Sequence, residues 1–446
     1  MTIRPATRPD AVGGLRASVA VSAVSAVNRV SRSLGRGSGT VAGGRAGLAI
    51  DPRLLAVLAS GRRVALVSGT NGKTTTTRLL AAAVAGADPA SVVSNDTGAN
   101  MPAGHVAALA GARHAPVAVL EVDEGYLGRL VDEAHPEVIV LLNLSRDQLD
   151  RIAEVRMLVD RWRSALGRLR APRPGMPATV VVANADDPMV AYAAGTAPEV
   201  CWVGAGQVWH EDAVGCPACG GRIVFTDDGR WACDRCEFSR PVVDADVVGD
   251  ELVLADGSRH PVRIALPGQF NRANAGMAAV AAQVLLEVMG GHGPDGGPPA
   301  LDLALGRLAG VTDVAGRFST ITRSGRPVRL LLAKNPAGWT AIFDLLDETG
   351  ATTAPVVLSV NARTADGLDT SWLWDVPFER LAGRTVVATG DRRLDLAVRL
   401  RYADIDHTVV DGPLAALDHA LACSVDGVTT DFLGNYTAFA DLRRAL

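Results

Sequence analysis

The stretch Val64-Ala-Leu-Val-Ser-Gly-Thr-Asn-Gly-Lys-Thr-Thr-Thr-Thr77 constrains this chain more than any other. The apolar run from Val64 to Val67 reads as a buried strand, and the Ala/Leu-rich segment from Arg78 to Ala87 reads as a helix. Between them lies Ser68-Gly-Thr-Asn-Gly-Lys-Thr74. Strand, glycine-bearing turn and helix together make an anion cradle. Glycine lets backbone N–H groups close on a phosphate, and the helix N-terminus adds partial positive charge. In an ATP-binding cradle Gly69, Thr70, Asn71 and Gly72 would surround the phosphates. Lys73 would reach the β- and γ-phosphates, the Thr74 hydroxyl would sit on Mg²⁺, and Thr75 would follow it at the helix start. The generic loop is G-x-x-x-x-G-K-[ST], and its first glycine would fall at Val67. The loop is therefore the narrower G-T-N-G-K-T form. The bland alternative is a glycine turn that merely carries a lysine.

The following segments repeat one pattern. Apolar runs near 91–94, 116–122, 138–142 and 179–183 alternate with helical segments. Continuous apolar strands between helices mean a parallel sheet buried on both faces, an α/β fold. Each run ends in a polar cluster: Asn95 to Asn100, then Glu121 with Asp123 and Glu124, then Asn143 with Asp147 and Asp150, then Asn184 to Asp187. In open α/β sheets ligands bind at that edge. Glu121, on a rigid strand end, is the candidate Mg²⁺ partner or water-positioning carboxylate. Asp123 and Glu124 read as an acidic surface turn. Asp147 and Asp150 fit either substrate or magnesium-water orientation or helix capping.

An insertion breaks the alternation. Cys216-x-x-Cys219 and Cys233-x-x-Cys236 are separated by 13 residues. Four thiolates in two such knuckles match tetrahedral Zn²⁺, and a closed set of four argues for structure, not catalysis. Four clustered cysteines out of six also favour a reducing compartment over disulfides. Cys201 and Cys423 read as small buried apolar residues. A zinc ribbon can bind nucleic acid. Here Glu211, Asp212, Asp227, Asp228 and Glu237 flank it and the net charge is −4, which disfavours that role. No run of 18 apolar residues predicts a transmembrane segment.

At 446 residues with 48% apolar content, two or three domains are expected. Residues 1–55 read as an Arg-rich helical segment, with a helix from about Ala17 to Leu34 and then a flexible glycine stretch. Its basic face is either simply solvated or turned toward anionic lipid or substrate phosphates. Residues 56–312 read as the ATP-binding domain, with the ribbon inserted at about 206–242. Within it Asn271 and Asn274 open a long Ala-rich helix, placed to reach an adenine or ribose, though Asn271 alone would serve as a cap. Residues 313–446 read as a smaller α/β domain with strands near 328–333, 356–360 and 385–389. Its loop from Asn361 to Asp375 carries Asp366, Asp369, Trp372 and Trp374. Exposed tryptophans beside carboxylates suggest an interface or a substrate.

Gly69-Thr-Asn-Gly-Lys-Thr74, Glu121 on its strand end, Asn143…Asp147…Asp150 and the Asn271/Asn274 helix start resemble the Mur ligases. These ATP-dependent enzymes join amino acids to peptidoglycan precursors through acyl-phosphates. The ribbon, Ala333-Lys-Asn-Pro-Ala-Gly338 and Ala365-Asp-Gly-Leu-Asp-Thr-Ser-Trp372 are similar to one branch, the MurT-like synthetase subunits of lipid II isoglutaminyl synthase. The resemblance implies a Mur-type ATPase domain with an inserted Cys₄ ribbon and a MurT-type C-terminal domain. It implies ATP, Mg²⁺ and structural Zn²⁺, with Arg317 added to the ATP-binding residues. The implied reaction is amidation of the α-carboxylate of D-glutamate in the lipid II stem peptide. Ammonia would come from a GatD-like glutaminase subunit in a heterodimer, with Asp369 completing the partner's Cys/His site. No G-x-C-x-G nucleophile elbow occurs in this chain, which suits that division of labour. The expected place is the cytoplasm, and the inner membrane surface where lipid II is presented suits it. No carbamylated lysine can be nominated, and with only about 50 Arg-rich residues before the loop the UDP-binding domain of typical Mur ligases is not expected here. The alternatives are a folylpolyglutamate-synthetase-like or Mur-type ligase adding a whole amino acid, and a nucleotide-switched scaffold with a nucleic-acid-binding ribbon.

Overall fold

Apolar strands that alternate with helices form two sheets in the computed structural model. It describes residues 14–33, 40–86, 88–95, 99–146, 152–169, 178–206, 209–290, 300–312, 318–348, 353–425 and 427–446. The first sheet collects β1 (Arg63–Ser68), β2 (Val92–Ser94), β3 (Val117–Glu121), β4 (Val138–Leu141), β5 (Val180–Asn184) and β6 (Val200–Gly204). The short hairpin β7 (Ile223–Phe225) and β8 (Trp231–Cys233) belongs to the ribbon, after which β9 (Ala245–Val248), β10 (Glu251–Leu254) and β11 (Arg259–Pro261) rejoin the sheet. Among the described residues the order is β11-β10-β9-β6-β5-β4-β1-β3-β2. Pairing is parallel from β2 through β9, and antiparallel from β9 to β11.

Side chains of one strand point alternately to the two faces. Val64, Leu66, Leu120, Ile139 and Leu141 enter one core, whereas Ala65, Val67, Val119, Val138 and Val140 enter the other. That double burial is why these strands read as unbroken apolar runs. Strands β1 to β5 fall where the sequence places them. β6 and β9 to β11 extend the sheet beyond that expectation.

The N-terminal region departs from the expected single helix and flexible link. Helix α1 (Leu15–Ser33) is followed by an unexpected second helix, α2 (Thr40–Ile50), whereas α3 (Leu54–Ala59) is the short helix that the sequence from Asp51-Pro52 predicts before β1. Ala17, Ala20, Val21 and Val24 of α1 join the core of the first sheet together with Leu54 and Leu55, so α1 is not simply solvated. The glycines of α2 allow close packing. A Cβ on Gly44 would lie 1.7 Å from the carbonyl oxygen of Ala103, and one on Gly47 would lie 2.5 Å from a Val24 methyl. Two further helices, α4 (Lys73–Ala85) and α5 (Pro102–Gly111), follow β1 and β2.

The second sheet comprises β12 (Phe318–Arg323), β13 (Arg326–Leu332), β14 (Val356–Ser359), β15 (Val386–Thr389), β16 (His407–Val409) and β17 (Thr430–Gly434). Among the described residues its order is β12-β13-β17-β14-β15-β16, and all neighbours except β12–β13 pair in parallel. The central β17 carries a charge, Asp431, matched by Arg329 on β13 at 2.6 Å. Contacts between the halves are specific. Phe270, at the start of the helix Gln269–Val288, packs against the second sheet's core, Arg272 approaches Glu348 at 3.4 Å, and Arg146 approaches Asp375 at 3.7 Å. No helix among the described residues is long and apolar enough to cross a membrane.

Candidate active site

The glycine loop follows β1 and leads into α4. Gly69 and Gly72 have φ of 146° and 85°, values that disfavour a side chain. Gly72 is the residue at the N-cap of α4. The loop is held from behind by the segment after β4. The amide of Thr70 donates to Asn143 O (2.9 Å), that of Asn71 donates to Asn143 Oδ1 (2.8 Å), and Asn143 Nδ2 returns a bond to Asn71 O (3.1 Å). Thr70 Oγ1 donates to Ser145 O and accepts from Ser145 N, both at 3.0 Å. These bonds hold the cradle in shape through protein groups alone.

Lys73 is buried, with its ammonium donating to Gly69 O (2.5 Å), Thr70 O (3.2 Å) and Glu124 Oε1 (3.2 Å). Glu124 is thus not the free surface acid the sequence suggested; it is nearly covered and pairs with the loop lysine. Asp123 takes the turn role, accepting from the Gly125 amide at 3.1 Å.

Glu121 ends β3 and is buried. Its Oε2 accepts from Thr74 Oγ1 (2.8 Å) and its Oε1 from Asn100 Nδ2 (3.1 Å). Asn95 clamps its backbone from both sides, accepting from the amide and donating to the carbonyl, each at 2.8 Å. His105 Nε2 lies 2.7 Å from the same carbonyl and must donate to it. Burial pushes the His105 pKa down, so the imidazole is neutral near pH 7. Among the described residues, Nδ1 of this ring has no partner. Among the described residues, the partners of the Glu121 carboxylate are a hydroxyl and an amide, both neutral. A buried carboxylate solvated only by neutral groups beside a phosphate loop suits a hard, oxygen-seeking cation such as Mg²⁺.

A cavity opens between the two sheets. Asn71, Gly72, Thr75, Asn143, Asn271 and Asn274 line it near the loop, and Trp209, Phe270, Leu331 and Ile342 line its apolar side. Asn271 and Asn274 thus face one space. Asn271 is also a local brace, donating to Pro267 O at 2.6 Å. Arg317, Asp147 and Asp150 lie outside the described residues.

The four cysteines come together, with all Sγ atoms within 4.8 Å of one another. The pairs Cys216–Cys236 and Cys219–Cys233 stand 3.8 and 3.5 Å apart. Zn–S bonds of about 2.3 Å put tetrahedral sulfurs about 3.8 Å apart, so the donor set fits Zn²⁺. Cys201 is only partly buried and Cys423 is exposed, so neither is the fully buried apolar residue expected.

Asp369 lies on an exposed turn and is not among the described residues lining the cavity. Its Oδ1 accepts from the Ser371 amide (2.8 Å) and hydroxyl (2.7 Å). These two bonds hold its carboxyl below the usual carboxylate range. The turn is rooted by Asp366, which accepts from the Thr437 amide at 2.9 Å, and by Arg363, which pairs with Asp391 and Asp441. Of the two tryptophans expected to be exposed, Trp372 is buried against Trp339. Trp374 is half exposed, edge-on to Tyr402.

A parallel sheet with this glycine loop, the Thr74–Glu121 pair and a second α/β domain across a cavity defines a Mur-type ATP-dependent ligase. Residues 67–215 match the family model for the Mur ligase middle domain, and residues 332–439 match that for the MurT ligase C-terminal region. The MurT subunit of lipid II isoglutaminyl synthase from Streptococcus pneumoniae is 30% identical over 82% of this chain and 83% of its own length. That from Staphylococcus aureus is 27% identical over 89% and 90%. MurF from Acinetobacter baumannii superposes with a TM-score of 0.62 at 17% identity, covering 90% of this chain and 79% of that one. The chain belongs to the MurT family of Mur-type ligases.

Proposed function

We propose that the chain is the synthetase subunit of an amidating enzyme. It converts the α-carboxylate of D-glutamate in the lipid II stem peptide to the amide, with ATP as the energy source and ammonia delivered by a GatD-like glutaminase. The names of its relatives support this substrate and the existence of a partner. The observation that carries the chemistry is Glu121 bonded to Thr74 beside Lys73, at the carboxyl edge of a parallel sheet.

In this reading a carboxylate oxygen of the substrate attacks the γ-phosphorus and ADP leaves with the bonding electrons. Ammonia then attacks the acyl carbon, the C–O bond to phosphate breaks, and the proton lost from nitrogen leaves with the phosphate as hydrogen phosphate. The three N–H donors of Lys73 are engaged by Gly69 O, Thr70 O and Glu124, which hold it beside the loop, and it would exchange one of these partners for a phosphate oxygen when the nucleotide binds. Thr74 and Glu121 are the residues that would hold Mg²⁺, and the ion when bound would supply charge neutralisation at the phosphate oxygens. Gly69 to Gly72 and Thr75 surround the phosphates. Asn271 and Asn274 receive the base or ribose, with Arg317 assigned to the same nucleotide. Cys216, Cys219, Cys233 and Cys236 hold structural Zn²⁺. The working units are 1–55, 56–312 and 313–446. Asp369 projects from the last of these to complete the glutaminase's Cys/His pair, where a carboxylate fixes a histidine's tautomer.

The test combines the chain with a candidate glutaminase, lipid II, glutamine and ATP, and follows replacement of OH by NH₂ in the stem peptide by mass. Lys73→Ala should abolish amidation. Undiminished product from that variant would remove the loop from the mechanism.

A further inference from the structure

The ribbon is not a detached appendage. Trp231, two residues before Cys233, is buried and donates through Nε1 to Ala185 O at 3.0 Å. Its ring packs on Phe238 at 4.9 Å. Four residues past the last cysteine, Arg240 donates through Nε to Asp186 Oδ1 at 2.5 Å, and both side chains are largely covered. The other oxygen of Asp186 accepts from the Gly206 amide at 2.7 Å. Asp186 N in turn donates to Asn184 Oδ1 at 3.0 Å, and Asn184 Nδ2 donates to Gly206 O at 3.3 Å. Asn184, Ala205 and Gly206 line the cavity between the sheets. On the way into the ribbon, Trp209 also lines it and donates to Asp212, which accepts from the Arg146 amide.

One wall of the cavity is therefore built from residues whose positions depend on the ribbon. We propose that Asp186, fixed by Arg240, is the positioning residue of that wall, and that metal binding at the four cysteines tightens nucleotide binding through it. This rests on reading the cavity as the nucleotide site. The physical reason is the burial of Asp186. Among the described residues its second oxygen has one neutral amide, so the guanidinium supplies most of the compensation for a covered charge, and a bare carboxylate there would move toward water. Arg240 in turn keeps its place only while the ribbon is folded, since its own amide donates to Trp231 O at 2.9 Å. A hairpin this short has little apolar core of its own and is held by its metal.

The test uses the full chain and two readouts, bound zinc per chain and affinity for ADP with Mg²⁺ by calorimetry. Arg240→Ala should keep its zinc and bind ADP about tenfold more weakly, the loss expected for one charge-assisted bond. Cys219→Ser combined with Cys233→Ser should lose zinc and weaken ADP binding at least as much. Adding Arg240→Ala to that pair should cost nothing more, because the ion pair is already broken. If the cysteine variant fails to fold by circular dichroism, Arg240→Ala decides alone. Wild-type ADP affinity in Arg240→Ala overturns the inference. A wild-type chain that binds no ADP removes the nucleotide reading itself, and the inference with it.

Discussion

Glu121 is legible in the sequence because a strand end announces itself: an apolar run stops and a carboxylate follows. What holds it is not legible. Asn95 and His105 are 26 and 16 residues away and meet it only because β2 and α5 flank β3. His105 sits in an apolar helix with no local sign of a role. Glu124 fails as a sequence inference for a similar reason. Its pairing with Lys73 joins residues 51 apart, and an acidic cluster at a turn looks the same whether or not a cation faces one member. The buried His105 yields a prediction with a definite sign. Burial lowers its pKa below 6.5, so the unfolded chain takes up the proton first. Its contribution to stability is complete above pH 6.5 and is lost as pH falls below that toward the folded value. His105→Gln, whose amide can still donate to Glu121 O, should flatten the fall in melting temperature between about pH 7 and pH 5. Equal slopes for the two proteins would show that another group sets the acid limb.

Among the elements, the ribbon is the most legible, since two C-x-x-C knuckles state their geometry in their spacing. Its docking through Trp231 and Arg240 is tertiary and carries no such mark. The glycines of α2 misled because flexibility and close packing use the same residue. Only the neighbour decides, and here it is the backbone of Ala103 against Gly44. Gly44→Ala should force α2 and α5 apart and destabilise the chain by about 1–3 kcal/mol in urea unfolding. Gly306→Ala is the control, because nothing lies within 4 Å of a Cβ there. In the interior of the helix Ala300–Leu308 that change should be neutral or stabilising by up to about 1 kcal/mol. Equal effects at both sites would contradict the packing explanation. The strand β17 escaped sequence reading because Asp431 breaks its apolar pattern, and the compensating Arg329 lies 102 residues away.

At the scale of the molecule, two mainly parallel sheets face one cavity, and the nucleotide loop and the Asp369 turn belong to different halves. Sheet class and the order of strand ends could be read from alternation alone. How the halves meet could not, because Phe270, Arg272 and Arg146 find their partners across the boundary. The separation makes the division of labour testable. Asp369 is exposed, bonded only within its own turn by the described contacts, and held ionised by Ser371. If it serves the glutaminase and not the ligase, its loss should spare chemistry at the loop. The most direct measurement is lipid II amidation by Asp369→Asn with its glutaminase partner, driven once by glutamine and once by free ammonium. Glutamine-driven product should fall by about two orders of magnitude or more, with ammonium-driven product near wild type. Loss of both, or retention of glutamine-driven amidation, would contradict the assignment.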